Sequence, residues 1–344
     1  MAENVIGGEF KIPLNKCTIN QGTELNEILF SSGRGAFSAI INHLNNTIHK
    51  WGGVLMPDYL CSSITQVLID QRINHNYYHI DFNLLPDEES LFSKIDNQKA
   101  VLLISYFGMV NIEPIAKKIK EYNSDIIIII DDVQNFYSNN DLTYCDYRFN
   151  SFRKWFAIPD GASLFAKNDT FENPSKKNSF AQYKFSGNLL KNFSEWVDDN
   201  ICLDLIEKGE SELDLNYNCE CSNISKTLIP NINHNSIKRT RKENAAYLHN
   251  ELQKLGIKHI YNSETIPLFI PIFTDNRAIL RKEFFSRNIF TPIHWPYESK
   301  ELNGYIKNAL YETELSLICD QRYTIEDMER QLEVIKSLRE QNAI

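Results

Sequence analysis

From residue 33 to residue 131 the chain alternates between two hydrophobic patterns. Ala36-Phe-Ser-Ala-Ile-Ile-Asn-His-Leu44 and Asn111 to Tyr122 place apolar residues at helical spacing, and the stretch running to Asp70 does the same. Between them lie short apolar segments at Trp51 to Leu60, Asn76 to Ile80, Val101 to Tyr106 and Ile126 to Ile130. The last is apolar at every position, without the polar alternation of a strand with one wet face. That predicts a strand covered on both sides. Strands alternating with helices argue for βαβ units and a mostly parallel sheet.

Beyond residue 131 the pattern changes. Asn168 to Asn178 reads as a polar surface loop, residues 180 to 206 as helical, Glu207 to Ser225 as another polar stretch, and Ser236 to Leu255 as a long helix. From Gly256 onward Ile257 to Tyr261, Leu268 to Phe273 and Ile289 to His294 predict short strands, with helices at Asn276 to Arg287 and Thr324 to Arg339. Thr324-Ile-Glu-Asp327 has the form of a capping box. The expected organisation is an N-terminal arm with a large α/β domain over residues 1–245, and a smaller α+β domain over residues 246–344.

Composition narrows the function classes. The 344 residues are 42% hydrophobic and 24% charged, ordinary for a globular protein with a sizeable core. A net charge of −9 disfavours non-specific nucleic-acid binding. No run of about 20 apolar residues and no signal-peptide pattern is present, so a cytoplasmic protein without membrane spans is expected. Seven scattered cysteines make no disulfide framework, and Cys219-Glu-Cys221 does not have zinc spacing, so no metal is expected.

The chemistry collects after the isoleucine run. Open α/β sheets bind ligands beyond the carboxyl ends of their strands, where Asp131, Asp132 and Gln134 would emerge. Ser151 and Lys154 follow across a second connection. Together these residue types suit pyridoxal 5'-phosphate. A lysine can form a Schiff base with its aldehyde, a carboxylate can hold its pyridine nitrogen protonated, and a serine can donate to its phosphate. Phe152, Trp155, Phe156 and Ile158 flank Lys154, and a partly dry setting favours the neutral amine. Gly33 and Gly35 open a helix whose N-terminus could receive an anion; a plain glycine turn capping a helix is the alternative.

The residues resemble the fold-type I pyridoxal-phosphate enzymes, and within them the DegT/DnrJ/EryC1/StrS group of sugar aminotransferases. Ser31-Ser-Gly-Arg-Gly-Ala36 is similar to the group's glycine turn, Val54 to Tyr59 to its next strand and loop, Asp131-Asp-Val-Gln134 to its Asp-x-x-Gln, and Ile289 to Trp295 to its His-Trp/Tyr strand. Arg239 to Leu252 resembles the helix leading to its small domain. Two positions differ from the group's pattern: Ser151-x-x-Lys154 is more closely spaced, and Gly33-Arg34 stands in place of Gly-Thr.

The resemblance implies Lys154 as the Schiff-base lysine, Asp131 on the pyridine nitrogen and Gln134 near the phenolic oxygen. It implies phosphate contacts from Gly33, Arg34, Gly35 and Ser151, and Tyr59 or Cys61 over the ring. Substrate contacts would come from His294, Trp295 and Arg322, and Tyr183, Lys184 or Asn188 would reach a partner subunit's site in a homodimer. The implied activity is transfer of an amino group, with glutamate as donor, to a nucleotide-linked keto sugar. Alternatives are another pyridoxal-phosphate reaction on the same fold, a noncatalytic regulatory protein on this scaffold, and a glycosyltransferase placing Asp131 and Asp132 on a metal.

Overall fold

The computed structural model describes residues 5–12, 28–49, 51–137, 142–296 and 308–341. The strands among them are β1 (Ile6–Gly7), β2 (Ile28–Phe30), β3 (Val54–Pro57), β4 (His75–Tyr78), β5 (Ala100–Ile104), β6 (Ile127–Asp131), β7 (Tyr147–Phe149), β8 (Ala162–Ala166), β9 (Ile270–Phe273), β10 (Ile289–Phe290) and β11 (Glu314–Leu317). β2 to β8 form one seven-stranded sheet in the order β2-β8-β7-β6-β5-β3-β4. Its pairs are parallel except those on either side of β8, so β8 alone runs against the rest. Ile128, Ile129 and Ile130 of β6 are each 3% exposed or less, as their unbroken apolar run requires. Burying each contributes roughly 2 kcal/mol.

Helices connect the strands. α1 (Gly33–Thr47) packs against α2 (Ser62–Asp70), β2, β7 and β8, and α3 (Glu88–Phe92) and α4 (Glu113–Tyr122) follow β4 and β5. α5 (Ala181–Leu190) packs against α6 (Asp199–Leu215), and α7 (Asn223–Leu228) leads into α8 (His234–Lys254). In the C-terminal part α9 (Arg277–Ser286), α10 (Leu310–Thr313) and α11 (Ile325–Glu340) surround two small sheets, antiparallel β9–β11 and parallel β1–β10. One hydrophobic cluster runs without a break from Ile128 in the large sheet to Leu248 of α8, Ile270 of β9 and Leu332 of α11. The expected boundary at residue 245 falls inside α8. That helix is continuous, and its buried Arg241 and Asn244 reach the chain at 267–268 and 319–323.

Several local expectations need correcting. Glu207 to Ser225 is not simply a polar stretch, because α6 continues to Leu215 and α7 begins at Asn223. Ile257 to Tyr261 forms no strand, only a single bridge from His259 to Ile272. The strand expected over Ile289 to His294 ends at Phe290. β7 and β8 were not foreseen. Part of the expected arm, residues 5–12, packs by β1 against β10; residues 13–27 lie outside the described residues.

Candidate active site

The ends of β5 and β6, the turns after β3, β7 and β10, the segment before β9, the start of α1 and part of α6 meet at one cavity of about 390 Å³. Asp131 closes β6 and is 7% exposed. Its Oδ1 accepts the Val133 N–H at 2.9 Å, while Oδ2 accepts no hydrogen bond among the described residues. Burial pushes this carboxyl up to about 7, with Asp132 adding to the rise and the Val133 N–H opposing it. Asp132 turns the other way, as alternation along an extended chain dictates. It accepts from Ser105 Oγ at 2.6 Å and lies 3.8 Å from Arg148 Nη1. The two carboxylates therefore do not converge as a metal pair.

The lysine comes from the turn after β7. Phe152 N donates to Gly161 O at 2.9 Å, and the buried Trp155 indole donates to Val133 O at 2.9 Å. This second bond ties the Lys154 turn to the loop that carries Asp131. Arg241 stacks over the Trp155 ring at 4.7 Å, and Gln321 donates to the Trp155 carbonyl. Lys154 lines the cavity, and its side chain is exposed to that enclosed space. Its Nζ has no hydrogen-bond or ion-pair partner among the described residues. Desolvation by the surrounding protein, then the Arg153 charge, holds the amine below its ordinary value, with Glu210 opposing.

The other walls supply polar groups. Gln134, 5% exposed, accepts from Phe107 N at 3.0 Å through Oε1, which leaves its Nε2 as a donor for the cavity. Ser151 is buried and its hydroxyl has no partner among the described residues. Ser32 caps α1 by accepting from Gly35 N at 3.1 Å, and the N–H groups of Gly33 and Arg34 donate to no acceptor among the described residues. A side chain on Gly33 would press on Asn150 O and Val133 Cγ2, both at 3.1 Å, so glycine lets the helix start sit between the Asp131 and Lys154 loops.

Not every candidate lies where the sequence suggested. Gly35 does not reach the cavity: its N–H is taken by Ser32, and the Tyr217 carbonyl stands where a Cβ would go. Tyr59 is a core residue, fully buried against Tyr106, Trp295 and Tyr311, with its hydroxyl given to the His294 carbonyl. Cys61, the N-cap residue of α2, is the one of that pair on the cavity wall. Arg34 lines the cavity while its guanidinium pairs with Asp214 at 3.0 Å.

His294 and Trp295 also line it. Ser316 donates to Glu314 at 2.5 Å and so accepts from His294 Nδ1 at 2.9 Å, while Glu314 also accepts the His294 N–H. Arg322 is absent from this wall. Its guanidinium grips Asp320 through Nε at 2.9 Å and Nη2 at 2.7 Å, and Nη1 donates to Gly8 O. An internal carboxylate already occupies the fork that a substrate carboxylate would need. Lys184 is tied within its own chain to Glu210 and Glu9.

Sequence reasoning missed Arg153 and Glu210, which sit in the wall beside Lys154 as an ion pair. Nothing in their spacing, 57 residues apart, links them.

The donor set can be tested against the cofactor that the sequence suggested. A buried acid with one open oxygen suits a protonated ring nitrogen, a desolvated amine without a partner suits an aldehyde, and a capped helix start beside a free serine hydroxyl suits a phosphate. The residues fit the group.

No protein-family model and no curated protein sequence matches the chain. Solved structures do. The sugar aminotransferase assignment Spr1654 from Streptococcus pneumoniae, in its PLP form, superposes with a TM-score of 0.67 at 14% identity, over 91% of this chain and 87% of that one. CalS13, a sugar aminotransferase from Micromonospora echinospora, gives 0.64 at 13% over 90% and 86%. A DegT DnrJ EryC1 StrS aminotransferase from Brucella abortus gives 0.59 at 15% over 90% and 85%. At these identities the likeness establishes the fold. The chain has the architecture of the fold-type I pyridoxal-phosphate transferases: a mixed, mostly parallel sheet flanked by helices, followed by a smaller C-terminal part. The sugar aminotransferases are among the proteins that share it.

Proposed function

We propose that the protein is a pyridoxal-phosphate-dependent aminotransferase that moves an amino group from an amino-acid donor, glutamate first among them, to the keto group of a nucleotide-linked sugar. The observation that carries this reading is the meeting, in one cavity, of the Lys154 amine without a partner and the Asp131 carboxyl with one open oxygen. The sugar aminotransferases among the structural neighbours support the acceptor class. A homodimer belongs to the same reading.

Pyridoxal phosphate, when bound, supplies an aldehyde and an electron-withdrawing ring that stabilises negative charge on the carbon being aminated. Lys154 would hold the aldehyde carbon, Asp131 the ring nitrogen, Gln134 Nε2 the phenolic oxygen, and Ser151 with the Gly33 and Arg34 N–H groups the phosphate. Asp131, through its open Oδ2, would hold the proton on the ring nitrogen, and pairing with that charge would relieve the desolvation of the carboxylate. Lys154 Nζ, freed when the substrate amine takes its place and favoured in its neutral form by desolvation, would move a proton between the substrate carbon and the cofactor's aldehyde carbon. Trp295 and Phe269 line the cavity with aromatic surface, and Ser316 with Glu314 fixes the His294 ring beside it.

The test is a purified enzyme incubated with pyridoxal phosphate, glutamate and a panel of keto-sugar nucleotides, following 2-oxoglutarate. Acceptor-dependent 2-oxoglutarate is the expected result. A bound cofactor with no transfer to any keto sugar would move the protein to another reaction of the same fold, and no cofactor binding would make it a noncatalytic scaffold.

A further inference from the structure

A second cavity, also of about 390 Å³, adjoins the first and shares Lys154, Arg153, Phe269 and Pro292 with it. Its other walls come from Gly7 to Phe10, from α9 and from the chain around β10. Two polar groups there are unmet. Arg281 makes no hydrogen bond or ion pair among the described residues, its Nε is buried without an acceptor, and its guanidinium is stacked 4.6 Å from the Phe285 ring centroid. Thr291 is 1% exposed and its hydroxyl is also without a partner.

The neighbouring arginines differ. Arg153 is paired with Glu210, Arg322 with Asp320, and Arg241 with the Gln321 side chain and the carbonyls of Pro267 and Leu268. Leaving buried donors unmade is unfavourable, and a guanidinium fixed by stacking presents its remaining N–H groups in the geometry that an oxyanion accepts. The Thr291 hydroxyl on the same cavity's wall adds one more donor. Phe285, Phe290 and Ile318 add apolar wall that suits the carbon chain carrying such a group, while the two carboxylates on the same wall, Glu9 and Asp320, are held by Lys184 and Arg322.

We infer that this second cavity binds an anionic group of the substrate, a carboxylate or a phosphate, with Arg281 and Thr291 as its ligands, and thereby orients the reacting carbon toward Lys154. The inference rests on the function proposed above. A carboxylate would come from the amino donor and a phosphate from the nucleotide.

Calorimetric titration of the cofactor-supplied protein with glutarate, and separately with inorganic phosphate, tests it. At least one probe binds, and Arg281→Gln weakens that binding about 10- to 100-fold, the loss of a charged hydrogen bond. Arg281→Lys falls between, and Thr291→Val loses less. Binding of glutarate assigns the site to the donor, and binding of phosphate to the nucleotide. Should Arg281→Gln fail to fold, the Arg281→Lys and Thr291→Val titrations decide. Equal affinity in wild type and variants, or no binding of either probe, overturns the inference. Cofactor absorbance recorded in the same samples separates the two readings. Loading with binding indifferent to Arg281 removes this inference alone, whereas Arg281-dependent binding without loading removes the proposed function alone.

Discussion

Replacing Asp131 by asparagine should stabilise the cofactor-free protein and do so only at higher pH. The carboxyl is buried at the end of β6, and its proton affinity rises from 3.8 to about 7, chiefly by desolvation. Between those values the folded state holds a proton that the unfolded chain has released, so stability falls as pH rises through that window. The interval is about 3 pH units at about 1.4 kcal/mol each, so the ionised carboxylate costs the fold about 4 kcal/mol above pH 7. Asparagine keeps the acceptor for the Val133 N–H and removes the charge. Urea unfolding of wild type and Asp131→Asn at pH 5, 6, 7 and 8, without cofactor, reads the effect. The variant should gain on wild type with each step and level off above pH 7, while pyridoxal phosphate should close the gap by stabilising wild type preferentially. Parallel pH profiles for the two proteins would refute the reasoning.

Two further outcomes follow from the same geometry. Gly35→Ala would drive a methyl group into the Tyr217 carbonyl, so its urea midpoint should drop by the equivalent of about 1–3 kcal/mol and its cofactor affinity should weaken as α1 shifts; an unchanged midpoint would contradict the packing. Glu210 holds both Arg153 and Lys184; burial raises its proton affinity, but those two cations pull it well below its ordinary 4.5. Glu210→Gln should therefore lose about 2 kcal/mol at pH 7, less than a fully buried pair because the side chain is 32% exposed. A depressed acid stabilises above its unfolded value, so this deficit, read by unfolding at several pH values, should shrink as pH falls below 4.5.

The large sheet was legible because burial on both faces demands the unbroken run at Ile126 to Ile130, and the acids at its end mark the ligand edge. β7 escaped notice because Tyr147-Arg-Phe149 is only three residues long, with a charged residue between two buried aromatics. The half of α6 beyond Ile206 was hidden by its polar composition. Yet Cys202, Ile206, Gly209 and Leu213 recur at helical spacing and form its buried face, the glycine allowing close approach to Lys184 of α5. Asp131, Gln134, Ser151 and Lys154 could be picked out because they are close in sequence and ordered along one strand-turn-strand path. Tyr59 could not be assigned, since its partner is set by a tertiary contact, His294 lying 235 residues away, whereas Arg322 is occupied by Asp320, only two residues before it. Arg281 looks like any helix-surface arginine until the missing partner is seen in space.

The central claim is a single amine placed to hold the cofactor aldehyde. Mass spectrometry of the protein after incubation with pyridoxal phosphate and reduction by borohydride tests it most directly. The account predicts one pyridoxyl phosphate adduct, carried by the peptide containing Lys154 and lost in Lys154→Ala. An adduct confined to other lysines, or none at all, would contradict it.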